Sequence, residues 1–229
     1  MTLTVDVISD VICPWCYIGK RRLEKAVAAR QRQQDVRVRW HPFQLNPHMP
    51  KEGMNRKEYR TAKFGSWERS LGLDAQVQAV GAAEGIAFAF DRIERTPNTL
   101  DAHRLIWLAD KEGVQDAVVE AVFRAYFTEG RDISRAAVLL DVVAGVGLDR
   151  GRADAVLNSD EGLAAIRAGE EQARRAGVQG VPSFLINGTL ALSGAREPSA
   201  FLDPFEQTGA TFGDEGSVCK IGPGGEPSC

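Results

Sequence analysis

Strand signals in this chain fall only near its two ends, with a long run of helical signals between them. Leu3 to Ile8 alternates apolar and polar residues, with Leu3, Val5 and Val7 on one face. Ile8 breaks the alternation, as expected where a strand is buried on both sides. A helix from about Cys13 to Arg30 separates this strand from a second alternating segment, Val36-Arg-Val-Arg-Trp40. Strand signals return only after Gly177, as the apolar run Ser183 to Ile186, the hairpin dipeptide Asn187-Gly188 and Thr189 to Leu192. Pro198 to Gln207 reads as a closing helix. In between, Pro42, Pro47 and Pro50 mark a boundary. Beyond it, helical patterns cover residues 75–84, 116–128, 134–146 and 161–175, and another helix opens at Thr96-Pro-Asn-Thr99. Ile86 to Phe90 is an extended exception. The order β–α–β, helical block, β–β–α predicts an α/β fold interrupted by an inserted α-helical domain. Residues 1–50 and 176–210 would form the discontinuous α/β domain, 51–175 the insertion, and 211–229 a tail rich in Gly, Pro and Ser.

The strongest chemical signal sits where the first strand meets the first helix: Cys13-Pro14-Trp15-Cys16. Two thiols three residues apart on a first helical turn are close enough to join in a small disulfide ring. Cys13 would lie at the helix N-terminus, where unpaired N–H groups and the helix dipole favour a thiolate, the reactive form. Pro14 suits the first turn, which needs no N–H from it. Cys16, one turn deeper, would be the shielded, resolving thiol of a mixed-disulfide exchange. The same spacing fits half of a zinc site, but structural zinc takes about four ligands and the other cysteines, Cys219 and Cys229, are far along the chain. A Cys-x-x-Cys beside a βαβ pattern favours redox chemistry, with no metal and no cofactor.

A second feature is Gly180-Val181-Pro182-Ser183-Phe184, ahead of the late strand. A proline entering a buried strand removes a ladder donor. Val181-Pro182 is either a cis peptide in a tight turn facing the thiols, leaving its backbone to pair with extended substrate, or an ordinary trans proline opening the strand.

Composition narrows the partners. A net charge of -3 on 229 residues gives no reason to expect nucleic acid or an anionic membrane. No apolar run approaches the roughly 20 residues of a membrane span. Met1 to Asp10 alternates like a strand and has no basic segment followed by an apolar one, so the expected location is the cytoplasm.

With these motifs in view, the chain resembles the DsbA family of thiol–disulfide oxidoreductases. Ser9-Asp-Val-Ile-Cys-Pro-Trp-Cys-Tyr-Ile-Gly19, Thr96-Pro-Asn-Thr-Leu-Asp-Ala-His103 and Gly180-Val-Pro-Ser-Phe-Leu-Ile-Asn-Gly188 are similar to its FrnE-like subgroup. The resemblance implies a thioredoxin-like fold with a helical insertion, Cys13 as nucleophile, Cys16 as resolving thiol, a cis bond at Val181-Pro182, and a substrate groove between the two domains. Substrates would be disulfide-containing or thiol proteins, with glutathione or a thioredoxin-type protein as candidate electron donor. Strongly oxidising periplasmic members carry His between the cysteines, where this chain has Trp15. An indole cannot stabilise the thiolate as His does, so a milder oxidant suited to reduction or isomerisation is expected.

Other residues carry open readings. Trp15, with Pro14 and Val181, is a candidate substrate-binding surface. His103 is either a partly buried helix histidine or a groove residue beside Asn98 and Thr99. Asp6 and Asp10 flank the motif, and either could accept the Cys16 proton if buried, although Asp10 also suits a turn or cap. His41 and His48 read as loop residues, and Arg21-Arg22 and Arg174-Arg175 as solvated helix faces. Cys219 and Cys229 are an accessory redox pair, a structural staple or two free thiols. Competing functions are a glutathione-dependent isomerase or transferase, as in the kappa-class transferases and hydroxychromene carboxylate isomerases of similar architecture, and a metal-binding or chaperone-like thiol protein. The former typically carry Ser at the Cys13 position, which counts against them.

Overall fold

The computed structural model describes residues 3–29, 36–207, 220–221 and 227–228. Strand β1 (Leu3–Ser9) leads through a turn, closed by a Cys13 N–H bond to the Asp10 carbonyl at 3.0 Å, into helix α1 (Pro14–Ala28). Strand β2 (Val36–Pro42) follows, parallel to β1. The two-residue strand β3 (Met54–Asn55) precedes helices α2 (Arg56–Phe64) and α3 (Trp67–Ala83). A 3-10 turn (Phe90–Arg92) and strand β4 (Arg95–Thr96), paired with β3, lead to helices α4 (Leu100–Lys111), α5 (Gln115–Phe127), α6 (Ala136–Ala144), α7 (Arg150–Leu157) and α8 (Leu163–Arg175). The chain then rejoins the first sheet through β5 (Ser183–Ile186) and β6 (Thr189–Ser193), and closes with a 3-10 turn (Pro198–Phe201) and helix α9 (Leu202–Gln207).

The main sheet has the order β2-β1-β5-β6. Only the β1–β2 pair is parallel, and β5 runs antiparallel to both of its neighbours. Asn187 and Gly188 both take positive φ (47° and 81°), which is why this dipeptide forms the tight β5–β6 turn. The fold is therefore the α/β thioredoxin-like one, with helices α2–α8 between the two halves of the sheet.

The two central strands, β1 and β5, are buried on both faces. Val5 and Val7 join Ile18, Leu23 and Phe184 in the main core, while Ile8 and Leu185 face Ala173 of α8 and Val178. This explains why Ile8 interrupts the alternation. Tyr17, directly after the second cysteine, stacks on Phe123 of α5 at 5.0 Å between ring centroids and donates its hydroxyl hydrogen to Glu120 at 2.8 Å. Lys20, 3% exposed, reaches Asp116 at 2.9 Å, and the Trp40 indole N–H donates to the same carboxylate at 3.0 Å. Helix α1 is thus tied to α5, and the cysteines have a fixed position relative to the helical block.

Several expectations are corrected. Ile86 to Phe90 forms no strand; buried Phe88 and Phe90 stack at 4.9 Å and the segment ends in the 3-10 turn. The helix expected at 75–84 is the second half of α3, and α2 and α7 were not foreseen. Their polar sequences are held by caps: Asn55 and Asp149 accept hydrogen bonds from the N–H groups of Glu58 and Arg152. Within the tail, Lys220–Ile221 pairs antiparallel with Pro227–Ser228. Cys219 and Cys229 lie outside the described residues. Among the described residues no helix is long and apolar enough to cross a membrane.

Candidate active site

Pro14 opens α1, with Cys13 as the N-cap residue in extended conformation (φ -91°, ψ 111°). Cys16 sits on the first turn, its N–H bonded to the Cys13 carbonyl at 3.0 Å. Neither thiol is in a disulfide, and the two differ in access. Cys13 lines a cavity of about 330 Å³, whereas Cys16 is 0% exposed and does not reach it. Burial pushes the Cys16 thiol well above its usual range, and the neighbouring Cys13 adds to the rise. Weaker opposing pulls come from the Ser9 side chain and the Asp10 backbone. Cys16 is therefore held as a neutral thiol behind Cys13.

The Val181-Pro182 peptide is cis, and it abuts the cysteines. Cys13 Sγ donates to the Val181 carbonyl oxygen at 3.6 Å. Gly19 permits this approach, because a Cβ built there would lie 3.0 Å from Pro182 Cγ and 3.2 Å from Phe184 Cζ. Trp15, between the cysteines, is 39% exposed and lines the cavity with Pro14.

The remaining sequence candidates fall in different places. His103 is 3% exposed and is absent from the cavity wall. Its Nε2 lies 3.3 Å from Oδ1 of Asp10, itself fully buried, whose Oδ2 accepts from the Leu45 N–H at 2.7 Å. Asp10 therefore fastens the turn before the cysteines both to α4 and to the segment after β2. Asp6 faces Arg39 and His41 across β1 and β2. Asn98 holds the Met49 carbonyl at 2.7 Å.

Sequence reading missed the wall opposite Cys13. It comes from α2 and α3: Arg56, Tyr59, Arg60, Lys63 and Phe64, with Leu73, Asp74 and Val77. Asn46, Phe90 and Tyr126 complete it. The one sequence signal for α2 was Asn55 followed three residues later by Glu58, an N-terminal capping pattern. Arg56 is 5% exposed and lies 5.7 and 5.5 Å from the Trp67 and Phe90 ring centroids. Burial lowers the Arg60 guanidinium from its ordinary value.

The family model described as DSBA-like thioredoxin domain matches residues 4–206. The structure of a probable DsbA oxidoreductase, SCO1869 of Streptomyces coelicolor, is 32% identical, covers 99% of each chain and superposes with a TM-score of 0.85. The protein YwbO of Bacillus subtilis (strain 168) is 26% identical over 194 residues, which is 83% of this chain and 90% of YwbO. A cytosolic disulfide reductase, DsbM of Pseudomonas aeruginosa, shares the fold at 21% identity, a TM-score of 0.62 and coverage of 90% and 99%.

Proposed function

The chain belongs to the DsbA-like thioredoxin-domain family, and from that premise we propose that it is a thiol–disulfide oxidoreductase or isomerase, of the FrnE-like subgroup, acting on protein disulfides. The observation that carries this reading is the asymmetry of the two thiols: Cys13 faces the cavity and Cys16 is sealed behind it.

In the direction of reduction, Cys13 attacks as thiolate. Its sulfur bonds to one sulfur of the substrate disulfide, and the other leaves with the bonding pair and takes up a proton from solvent. The Cys13 thiol gives up its hydrogen bond to the Val181 carbonyl, freeing that oxygen for a substrate N–H. Cys16 then loses its proton and attacks Cys13 Sγ. The second substrate thiol leaves, and the pair is oxidised by two electrons. Keeping Cys16 neutral until this stage delays resolution, which gives a mixed disulfide time to select a new partner thiol, as isomerisation requires. A dithiol or a thiol such as glutathione would regenerate the reduced pair. In the expected cytoplasmic setting, a reducing glutathione pool favours net reduction.

The test is insulin reduction with dithiothreitol, beside Cys13→Ser and Cys16→Ser. The expected results are loss of activity in Cys13→Ser and an accumulated mixed disulfide in Cys16→Ser. Equal activity in wild type and Cys13→Ser would reject the reading.

A further inference from the structure

Thiol exchange at Cys13 makes no use of the charge on the opposite wall. Four charged side chains line the cavity with Cys13: Arg56, Arg60, Lys63 and Asp74. Asp74 divides its two oxygens, Oδ2 accepting from Arg56 Nη2 and Oδ1 from Arg60 Nη2, each at 2.7 Å. One carboxylate thus serves two guanidiniums, which do not deprotonate in proteins, so the trio keeps one positive charge. Lys63 adds a second. Its Nζ donates to the Tyr59 hydroxyl at 2.7 Å and lies 5.2 Å from that ring's centroid. It meets no carboxylate within 4.0 Å among the described residues.

Asn46 Oδ1 accepts from the Tyr59 hydroxyl at 2.6 Å, which fixes the phenol that Lys63 Nζ donates to. Leu73, Val77, Phe64 and Phe90 add apolar surface beside the polar Gln76 and Thr96, and a charge partly shielded from water acts more strongly than in bulk. The cluster has an excess of positive charge and open space facing Cys13.

We infer that the cavity selects disulfides bearing a carboxylate close to the sulfur that Cys13 attacks. The carboxylate stands either on an acidic residue beside a substrate cysteine or on a small-molecule disulfide. It is held by Arg60 and Lys63 while the exchange proceeds as above. It is not consumed, and no electrons pass to it. The inference rests on Cys13 being the attacking thiol.

The test follows formation of the mixed disulfide by mass spectrometry in full-length Cys16→Ser. Three small disulfides differ in charge: 3,3′-dithiodipropionate (anionic), bis(2-hydroxyethyl) disulfide (neutral) and cystamine (cationic). Each rate is divided by that of free 2-mercaptoethanol with the same disulfide. A second arm compares two peptide disulfides with Asp or Asn next to the cysteine. The expected result is a preference of about tenfold for the carboxylate, equivalent to about 1.4 kcal/mol, in at least one arm, with cystamine slowest. The arm that shows it identifies the source. The preference should fall at least threefold in Lys63→Gln, an exposed position whose folding is not at stake, and further in Arg60→Gln. Equal normalised rates in both arms, or a preference untouched by Lys63→Gln, would overturn the inference and leave thiol exchange standing. Failure of Cys13 to react with any of these disulfides would overturn the proposed function, and the selectivity with it.

Discussion

Gly19→Ala adds one methyl group where α1 crosses the Val181-Pro182 loop. The new Cβ would lie 3.0 Å from Pro182 Cγ, 3.2 Å from Phe184 Cζ and 3.5 Å from Pro182 Cβ. Carbon atoms pack best at about 3.5–4.0 Å, so roughly half an ångström must be found. Neither neighbour is a free side-chain tip. Pro182 is buried, and the fully buried Phe184 ring packs edge-on to Phe201 at 4.9 Å. Overpacking of this kind costs about 1–3 kcal/mol, and the better helix propensity of Ala returns about 1 kcal/mol. A net loss of about 1 kcal/mol should lower Tm by about 2–4 °C in a chain of this size. Gly72→Ala is the matched control, since it makes the same change inside α3 with nothing within 4 Å of the new Cβ. It should gain about 0.5–1 kcal/mol and raise Tm by about 1–4 °C. The assay is calorimetric melting of the three proteins, with the rate of mixed-disulfide formation measured in the Cys16→Ser background. Gly19→Ala should be slowed, because α1 carries Cys13 away from the Val181 carbonyl, and Gly72→Ala should not. If Gly19→Ala melts as high as Gly72→Ala, or reacts as fast, the close approach does not set the geometry at Cys13.

Two further outcomes concern charge. Asp74→Asn leaves the buried Arg56 and the half-buried Arg60 guanidiniums without a counter-charge; breaking the buried Arg56 pair costs about 3–5 kcal/mol, or about 6–20 °C in Tm, and a change within 2 °C would show the cluster to be hydrated. Asp6 is raised by burial, but bonds from His41 and Arg39, each at 2.8 Å, prevail and hold it below its ordinary value. A depressed carboxylate adds stability above its unfolded pKa and loses it as the pH falls through the folded one. The urea-midpoint difference between wild type and Asp6→Asn should therefore shrink as the pH falls below about 4; a gap that widens below about pH 4 would contradict this assignment.

The parts of the site that local rules govern were legible in the sequence. Pro14 at a helix start, the alternation in β1 and the Asn187-Gly188 turn each depend on neighbours a few residues away, and each formed where expected. The opposite wall was not legible, for a physical reason. Arg-Lys-Glu-Tyr-Arg-Thr-Ala-Lys-Phe, the whole of α2, has no apolar stripe to announce it. It is held by the Asn55 cap and by Arg56 and Arg60 reaching Asp74 on the next helix. The contact of Asp10 with His103 spans 93 positions, and nothing in either local pattern tells a buried partner from a solvated one.

The register of the sheet also has a bearing on how this molecule can be rebuilt. Ile8 of β1 stands opposite His41 on one side and Ser183 on the other. Neighbouring strands are spaced about 4.8 Å apart, so the polypeptide departs from the sheet and comes back to it at points about 10 Å from each other, flanking a single residue. Everything from Phe43 to Pro182 leaves and rejoins the sheet at that narrow gap and folds back over it. A replacement joined at the same two anchors would have to cover Ile8 and Leu185 as α8 does, and partner Tyr17 and Lys20 as α5 does, before the cysteine-bearing strand and helix could stay as they are.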